Sequence, residues 1–241
     1  MTICAGRRAG LTHGEFRRYV TEVHGPLVAS VDEVAADLRA YHYNFPVAAP
    51  AAPPFGHPWA DTLDIVTQGW FDSIEAQRAN MRHPRYLAII RPDEGRFADE
   101  ARATMHYMAE RPVVGASSPA APAPYKLLVF RRRRAGLTRE AFQAAWLADA
   151  GPLVARCVAG SNGYLQNHAA GESEHPSGED PAYYDVLDEV ALGDPQMWAG
   201  FGSDTEAATG LRDMEARLLE PARTRVLVTQ THVSLPWKGR A

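Results

Sequence analysis

The sequence predicts an α+β chain built from two copies of one β-α-β-β-α-β unit, the ferredoxin-like arrangement. Two observations carry this. Arg7-Arg8-Ala9-Gly10-Leu11-Thr12 recurs unchanged as Arg133-Arg134-Ala135-Gly136-Leu137-Thr138, and Gly25-Pro26-Leu27-Val28-Ala29 recurs as Gly151-Pro152-Leu153-Val154-Ala155 at the same offset of 126. Eleven identical residues at one offset mark an internal repeat. Each copy also carries the same alternation of short apolar runs with helix-start signals.

The elements follow in order. Met1 to Gly6 and Lys126 to Arg131 are the first strands. Thr12 with Glu15 forms a capping box that starts the first helix, and Thr138 with Glu140 starts its counterpart. Phe16, Tyr19, Val20 and Val23 line one helical face, as Phe142, Ala145 and Trp146 do in the second copy, and each helix meets a Gly-Pro expected to interrupt it. Strands follow over Arg39 to Phe45 and Gly163 to His168, then long loops over Phe45 to Ala60 and Ala169 to Pro181. Thr62 to Phe71 and Tyr183 to Leu192 are the third strands. Asp72-Ser73 and Asp194-Pro195 announce the second helices. Ala103 to Met108 and Thr224 to Leu235 close the copies. Residues 111–124, RPVVGASSPAAPAP, read as an extended linker between a domain over 1–110 and one over 125–241.

Composition narrows the function. The 241 residues are 46% apolar with a net charge of −4, which gives no general attraction to nucleic acid or anionic membranes. The two cysteines, Cys4 and Cys157, lack metal-finger spacing, so reduced thiols and a cytoplasmic setting are expected. Neither an export signal nor a membrane span is expected. Phosphate-binding glycine loops, a serine-hydrolase elbow and paired metal-binding histidines are absent from the sequence.

Gly10-Leu11-Thr12-His13-Gly14-Glu15-Phe16, then His24-Gly25-Pro26-Leu27, then Tyr41-His42-Tyr43-Asn44 resemble the EthD family of dimeric α/β-barrel proteins. The second copy repeats the pattern as Gly136-Leu137-Thr138, Ala150-Gly151-Pro152-Leu153 and Tyr164-Leu165-Gln166-Asn167-His168. Trp70-Phe71-Asp72-Ser73 and Asp93-Glu94-Gly95-Arg96-Phe97 resemble later signatures of the family. The resemblance implies that the two sheets pair into a barrel within one chain, as a monomer or a homodimer of such barrels, with pockets between sheet and helices.

It also implies an enzyme without a cofactor that acts on a hydrophobic aromatic or polyketide-like molecule by cyclisation, dehydration or a related rearrangement. The alternatives are a non-catalytic binding or chaperoning module and a haem or redox member of the superfamily. The first copy keeps His24 but has Phe45 where the second has His168, and the second has Ala150 where the first has His24, so two equal sites are not expected.

Catalytic candidates are His24, Tyr41, Tyr43 and His168. A near-neutral imidazole can pass protons either way, and a phenol can donate to a developing enolate oxygen. Substrate-binding candidates are Tyr19, His42, Asn44, Phe55, Trp59, Trp70, Tyr164 and Gln166. Strand alternation puts Tyr41 and Tyr43 on one face and His42 and Asn44 on the other, so one pair faces the pocket. The aromatic residues Trp70, Phe71, Trp146, Trp198 and Phe201 read as core, and Arg131 to Arg134 as ion-paired rim. Phe55 and Trp59 in the proline-rich loop are expected to fold over the first pocket as a lid.

Overall fold

The computed structural model describes residues 1–48, 53–115, 118–171 and 184–239. Parts of both long loops, Tyr183, linker residues 116 and 117 and the last two residues lie outside them. The first repeat contains β1 (Thr2–Ala5), α1 (His13–Tyr19), α2 (Gly25–Ser30), α3 (Asp32–Ala35), β2 (Ala40–Pro46), β3 (Ile65–Trp70), α4 (Ile74–Met81), α5 (Arg91–Glu94) and β4 (Thr104–His106). After β5 (Met108–Gly115) come β6 (Tyr125–Arg131), α6 (Arg139–Ala145), α7 (Gly151–Cys157), β7 (Gly163–Ala169), β8 (Val186–Leu192), α8 (Thr205–Leu218) and β9 (Arg225–Leu235).

All nine strands form one sheet in the order β4-β1-β3-β2-β9-β6-β8-β7-β5. Within it, β4-β1-β3-β2 and β9-β6-β8-β7 repeat the same antiparallel order. The last strand of each repeat reaches into the other: β9 pairs with β6 through Gln230 and with β2 through Leu235, and β5 pairs with β7. Because only Tyr107 separates β4 from β5, the row closes into a nearly complete barrel.

This closure corrects the linker boundary. Arg111–Gly115 is strand, because β7 would otherwise present an unpaired edge.

Pairing on both sides leaves strand faces covered twice, by helices outside and by facing strands inside. Leu128, Phe130, Val66, Leu187 and Leu227 fill the interior, while separate cores lie under the helices of each repeat. One end of the interior is polar: Lys126 Nζ lies 2.7 Å from Glu189 Oε1, and Gln68 bonds both partners.

The capping box forms as the spacing predicts. The Thr12 N–H donates to Glu15 Oε2 at 2.9 Å, and the Glu15 N–H donates to Thr12 Oγ1 at 3.2 Å. The Gly-Pro sites do not interrupt their helices. The turns Val20–His24 and Trp146–Ala150 widen to π geometry, with the Gly25 N–H donating to Val20 O and the Gly151 N–H to Trp146 O. Proline lacks the N–H of a regular turn and crowds the carbonyl four residues back, and the wider turn relieves both problems. Tyr86–Ile90 does the same ahead of Pro92.

Asp194 also departs from expectation. It begins a turn and a short 3₁₀ segment, and the second helix of that repeat starts later, where Asp204 accepts from the Ala207 N–H.

Candidate active site

Between sheet and helices of the first repeat lies a cavity of about 430 Å³, within the size range of small-molecule sites. Its floor is β1, β2 and β3, through Ile3, Tyr41, Tyr43 and Thr67. The tyrosine face of β2 is thus the pocket face. Gly69, opposite Tyr41 on β3, leaves room for that ring, whose Cδ2 would stand 3.3 Å from an added Cβ. Gly25 likewise lets the helix approach Tyr43, where an added Cβ would meet the Tyr43 ring at 3.3 Å and Ser234 Oγ at 2.9 Å.

Two π turns aim polar groups at this cavity. His24 ends the first, and its Nδ1 lies 3.0 Å from Asp93 Oδ2 in α5, just after the turn beginning at Tyr86. Tyr19 donates to the other carboxylate oxygen at 2.6 Å, and Phe97 covers the imidazole at 4.6 Å between ring centres. Burial pulls the His24 pKa below the ordinary imidazole value, with Asp93 opposing, so the ring is neutral near pH 7. With Nδ1–H directed at Asp93, Nε2 is the basic nitrogen and has no hydrogen-bond partner among the described residues.

Phenols and one carboxyl complete the wall. Burial raises the pKa values of Tyr41, Tyr43 and Tyr86, which keeps them protonated as donors. The Tyr43 hydroxyl is buried, and the Ser234 side chain opposes the rise in its pKa. Glu94 accepts from Tyr86 at 2.7 Å and from Arg91 at 3.0 Å, and burial lifts its pKa above the usual carboxylate value. Neither Asp93 nor Glu94 stands among the sequence-derived candidates, although the string Asp93-Glu94-Gly95-Arg96-Phe97 contains both. A fold bringing residue 93 against residue 24 was needed to give them a role.

The remaining candidates lie elsewhere. Tyr19 holds Asp93 and does not line the cavity. His42 and Asn44 point into the barrel. There His42 is fully buried, with neither ring nitrogen hydrogen-bonded, and burial followed by nearby Lys126 lowers its pKa to about 4. Asn44 donates to Val66 O and Gln68 Oε1, both at 3.0 Å. Trp70 lies tilted against His42, with ring centres 4.8 Å apart, and donates to Glu110 at 2.7 Å.

The expected lid is corrected: Phe55 and Trp59 pack against the core of the second repeat, with Trp59 edge-on to Trp198 at 6.0 Å. Because β2 pairs with β9, the chain leaving β2 is delivered to the second repeat rather than back over the first.

At the matching face of the second repeat, larger or charged side chains occupy the space. Arg131 stands where the first repeat has Ala5, Trp146 where it has Val20, and Asp188 where the sheet register puts Thr67. Arg131 is fully buried, with Nε 2.9 Å from Asp188 Oδ2 and a further ion pair to Glu215. His57, from the proline-rich loop, lies 3.0 Å from Glu215.

Asp188 also accepts from Tyr164 at 2.8 Å and Trp146 at 3.1 Å. Gln166 donates to Tyr164 and pairs with His168 Nε2, each at 2.8 Å. Tyr164, Gln166 and His168 therefore belong to a satisfied internal network, and the His168 nitrogen that a haem iron would need is engaged by Gln166. Among the described residues no cluster of three or more histidines, cysteines or carboxylates could hold a metal ion, and no helix is long and apolar enough to cross a membrane.

A two-repeat barrel with one open, tyrosine-walled cavity and one filled counterpart defines a dimeric α/β-barrel protein of the single-chain kind. The sequence model of the EthD domain matches residues 8–101, which hold most of the cavity lining, while Ile3, Ala5 and the lining residues from Ala103 to Tyr107 fall outside the match. A conidial pigment biosynthesis dehydratase EthD of Metarhizium robertsii is 31% identical over 110 residues, spanning 44% of this chain and 77% of the relative. The chain belongs to the EthD family.

Among solved structures, an anthrone oxidase-like protein superposes with a TM-score of 0.61 at 12% identity, covering 100% of this chain and 94% of its own. A protein of Lactobacillus acidophilus designated a monooxygenase superposes with a TM-score of 0.54 at 7% identity, covering 97% and 94%. These two show that the barrel is shared.

Proposed function

We propose that the first repeat is an enzyme site that eliminates water from a hydroxylated, polycyclic ketone or a closely related molecule. The observation that carries this reading is the His24–Asp93 pair on a tyrosine-walled, mainly apolar cavity. The dehydratase name of the Metarhizium relative supports the reaction class, and the EthD domain match over residues 8–101 supports the location.

In this mechanism His24 Nε2 takes the proton from the carbon beside the substrate carbonyl, and Asp93 stabilises the imidazolium. Tyr43, a protonated phenol on the cavity wall, donates to the carbonyl oxygen as it gains charge. The carbon–oxygen bond to the β-hydroxyl then breaks, and the His24 imidazolium hands its proton to the departing oxygen, which leaves as water. The imidazole is neutral again after each turnover, so the cycle balances without a cofactor. Phe97 and the tyrosine rings exclude water from the reacting carbon.

The test uses 3-hydroxy-1-tetralone, which loses water to give the strongly absorbing 1-naphthol. His24→Ala should lower turnover by about 10²–10⁴-fold with the fold intact. Unchanged turnover would remove His24 from the mechanism. Tight binding of naphthols with no turnover of any β-hydroxy ketone would make the site a carrier rather than an enzyme.

A further inference from the structure

A second, smaller cavity of about 30 Å³ lies beneath α2 and α3 and shares part of its lining with the first: Ile3, Tyr41, Met81, Tyr86 and Glu94 stand in both. Its far wall includes the buried side chains of Val28, Val34, Leu38 and Ile90. Such an annex has room for roughly one or two carbon atoms.

Its polar groups are largely spent. Asn80, which lines the annex and not the first cavity, donates to Val34 O at 2.8 Å and to Asp37 Oδ2 at 3.2 Å. Tyr86 donates to Glu94 at 2.7 Å, and Glu94 also accepts from Arg91. A water molecule needs two to four polar partners and would find few here, whereas an alkyl group needs none. Met81 forms part of the partition between the two spaces, and an unbranched thioether changes rotamer easily, so the partition can open without moving the backbone.

We infer that the ligand of the first cavity carries a short alkyl substituent, methyl or ethyl, on its ring system and seats it in this annex. This names a substrate class for the site proposed above and rests on that reading. His24, Tyr43 and Phe97 line the cavity but not the annex. The alkyl group therefore orients the molecule: its substituted edge lies at Tyr41 and Tyr86, and a different edge faces the imidazole. Val34, on α3 at the annex wall, limits how long the substituent can be.

Calorimetric titration of the full chain with 1-naphthol and with 6-methyl- and 7-methyl-1-naphthol tests the inference. At least one methylated isomer should bind about fourfold tighter than the parent, the gain expected from burying one further carbon. Val34→Ile adds a methylene at the annex wall. Parent and methylated ligands should then bind about equally, and the melting temperature should hold or rise, because the added carbon fills empty space. Val34→Ala widens the annex instead, and should move the preference from the methyl to the corresponding ethyl compound.

If neither isomer binds tighter than 1-naphthol, the inference is overturned and the cavity reading stands; if none of the three binds, both fall together. A several-degree loss of melting temperature in Val34→Ile would show that packing already fills the space. A methyl preference unchanged by both substitutions would put the alkyl group elsewhere. Either result overturns the inference.

Discussion

Trp59→Ala separates a strap from a lid. Trp59 is partly buried, its ring meets Trp198 at 6.0 Å, and the backbone beside it is tied to β9 by Val226 N–H to Pro58 O at 3.0 Å and Ala60 N–H to Val226 O at 2.8 Å. Emptying a fully buried tryptophan site costs about 3–5 kcal/mol. Partial exposure, and backbone bonds that survive the substitution, reduce this to about 2 kcal/mol. In a chain of this size that corresponds to a melting temperature lower by roughly 4–8 °C.

The first cavity should be indifferent, because neither Trp59 nor Phe55 lines it. Differential scanning calorimetry read beside a naphthol titration measures both quantities on one preparation. A melting temperature within a degree of the unaltered chain, together with a several-fold loss of ligand affinity, would refute the strap and restore a loop that covers the site.

Three further expectations concern the buried polar groups. Arg131→Met strands Asp188 and Glu215 without their cation and should cost about 3–5 kcal/mol in a urea titration, with much of it recovered by adding Asp188→Asn and Glu215→Gln; a loss under about 1 kcal/mol would mean the network is not held by charge. His168→Ala should leave turnover of the tetralone unchanged, since His168 bonds Gln166 in the filled repeat, and a hundredfold loss would move catalysis there.

The third expectation concerns acid stability. Burial depresses the folded-state pKa values of His42 and His168 to about 4 and of His106 to about 3, below the ordinary 6.5. Below 6.5 the unfolded chain binds more protons than the folded one, so stability present at pH 7 should be lost progressively as pH falls toward those values. Urea midpoints should fall between pH 7 and pH 4, and His42→Gln should make the fall shallower; identical slopes in the two proteins would refute the assignment to His42.

Most strands and both capped first helices were legible because they rest on local rules. Period-two and helical patterning, the Thr12–Glu15 spacing and an offset repeat all act within a few residues or by direct comparison of the copies. Alternation on β2 also narrowed the pocket face to one of two pairs, Tyr41 with Tyr43 or His42 with Asn44. The unequal fate of the copies was foreshadowed by Ala150 standing where the first copy has His24.

What only the tertiary structure decided depends on contacts between distant segments. Strand exchange between repeats converted part of an apparent linker into β5 and carried His57, Phe55 and Trp59 onto the wrong side for a lid. The two Gly-Pro sites widened into π turns instead of breaking, which kept His24 and Trp146 buried at the ends where a break had been expected. Asp93 acquires its partner only when the chain returns after 69 residues to the end of the first helix. Arg131 reads as a surface cation until Asp188 and Glu215 close around it, because a charge is buried only where partners from other elements meet it.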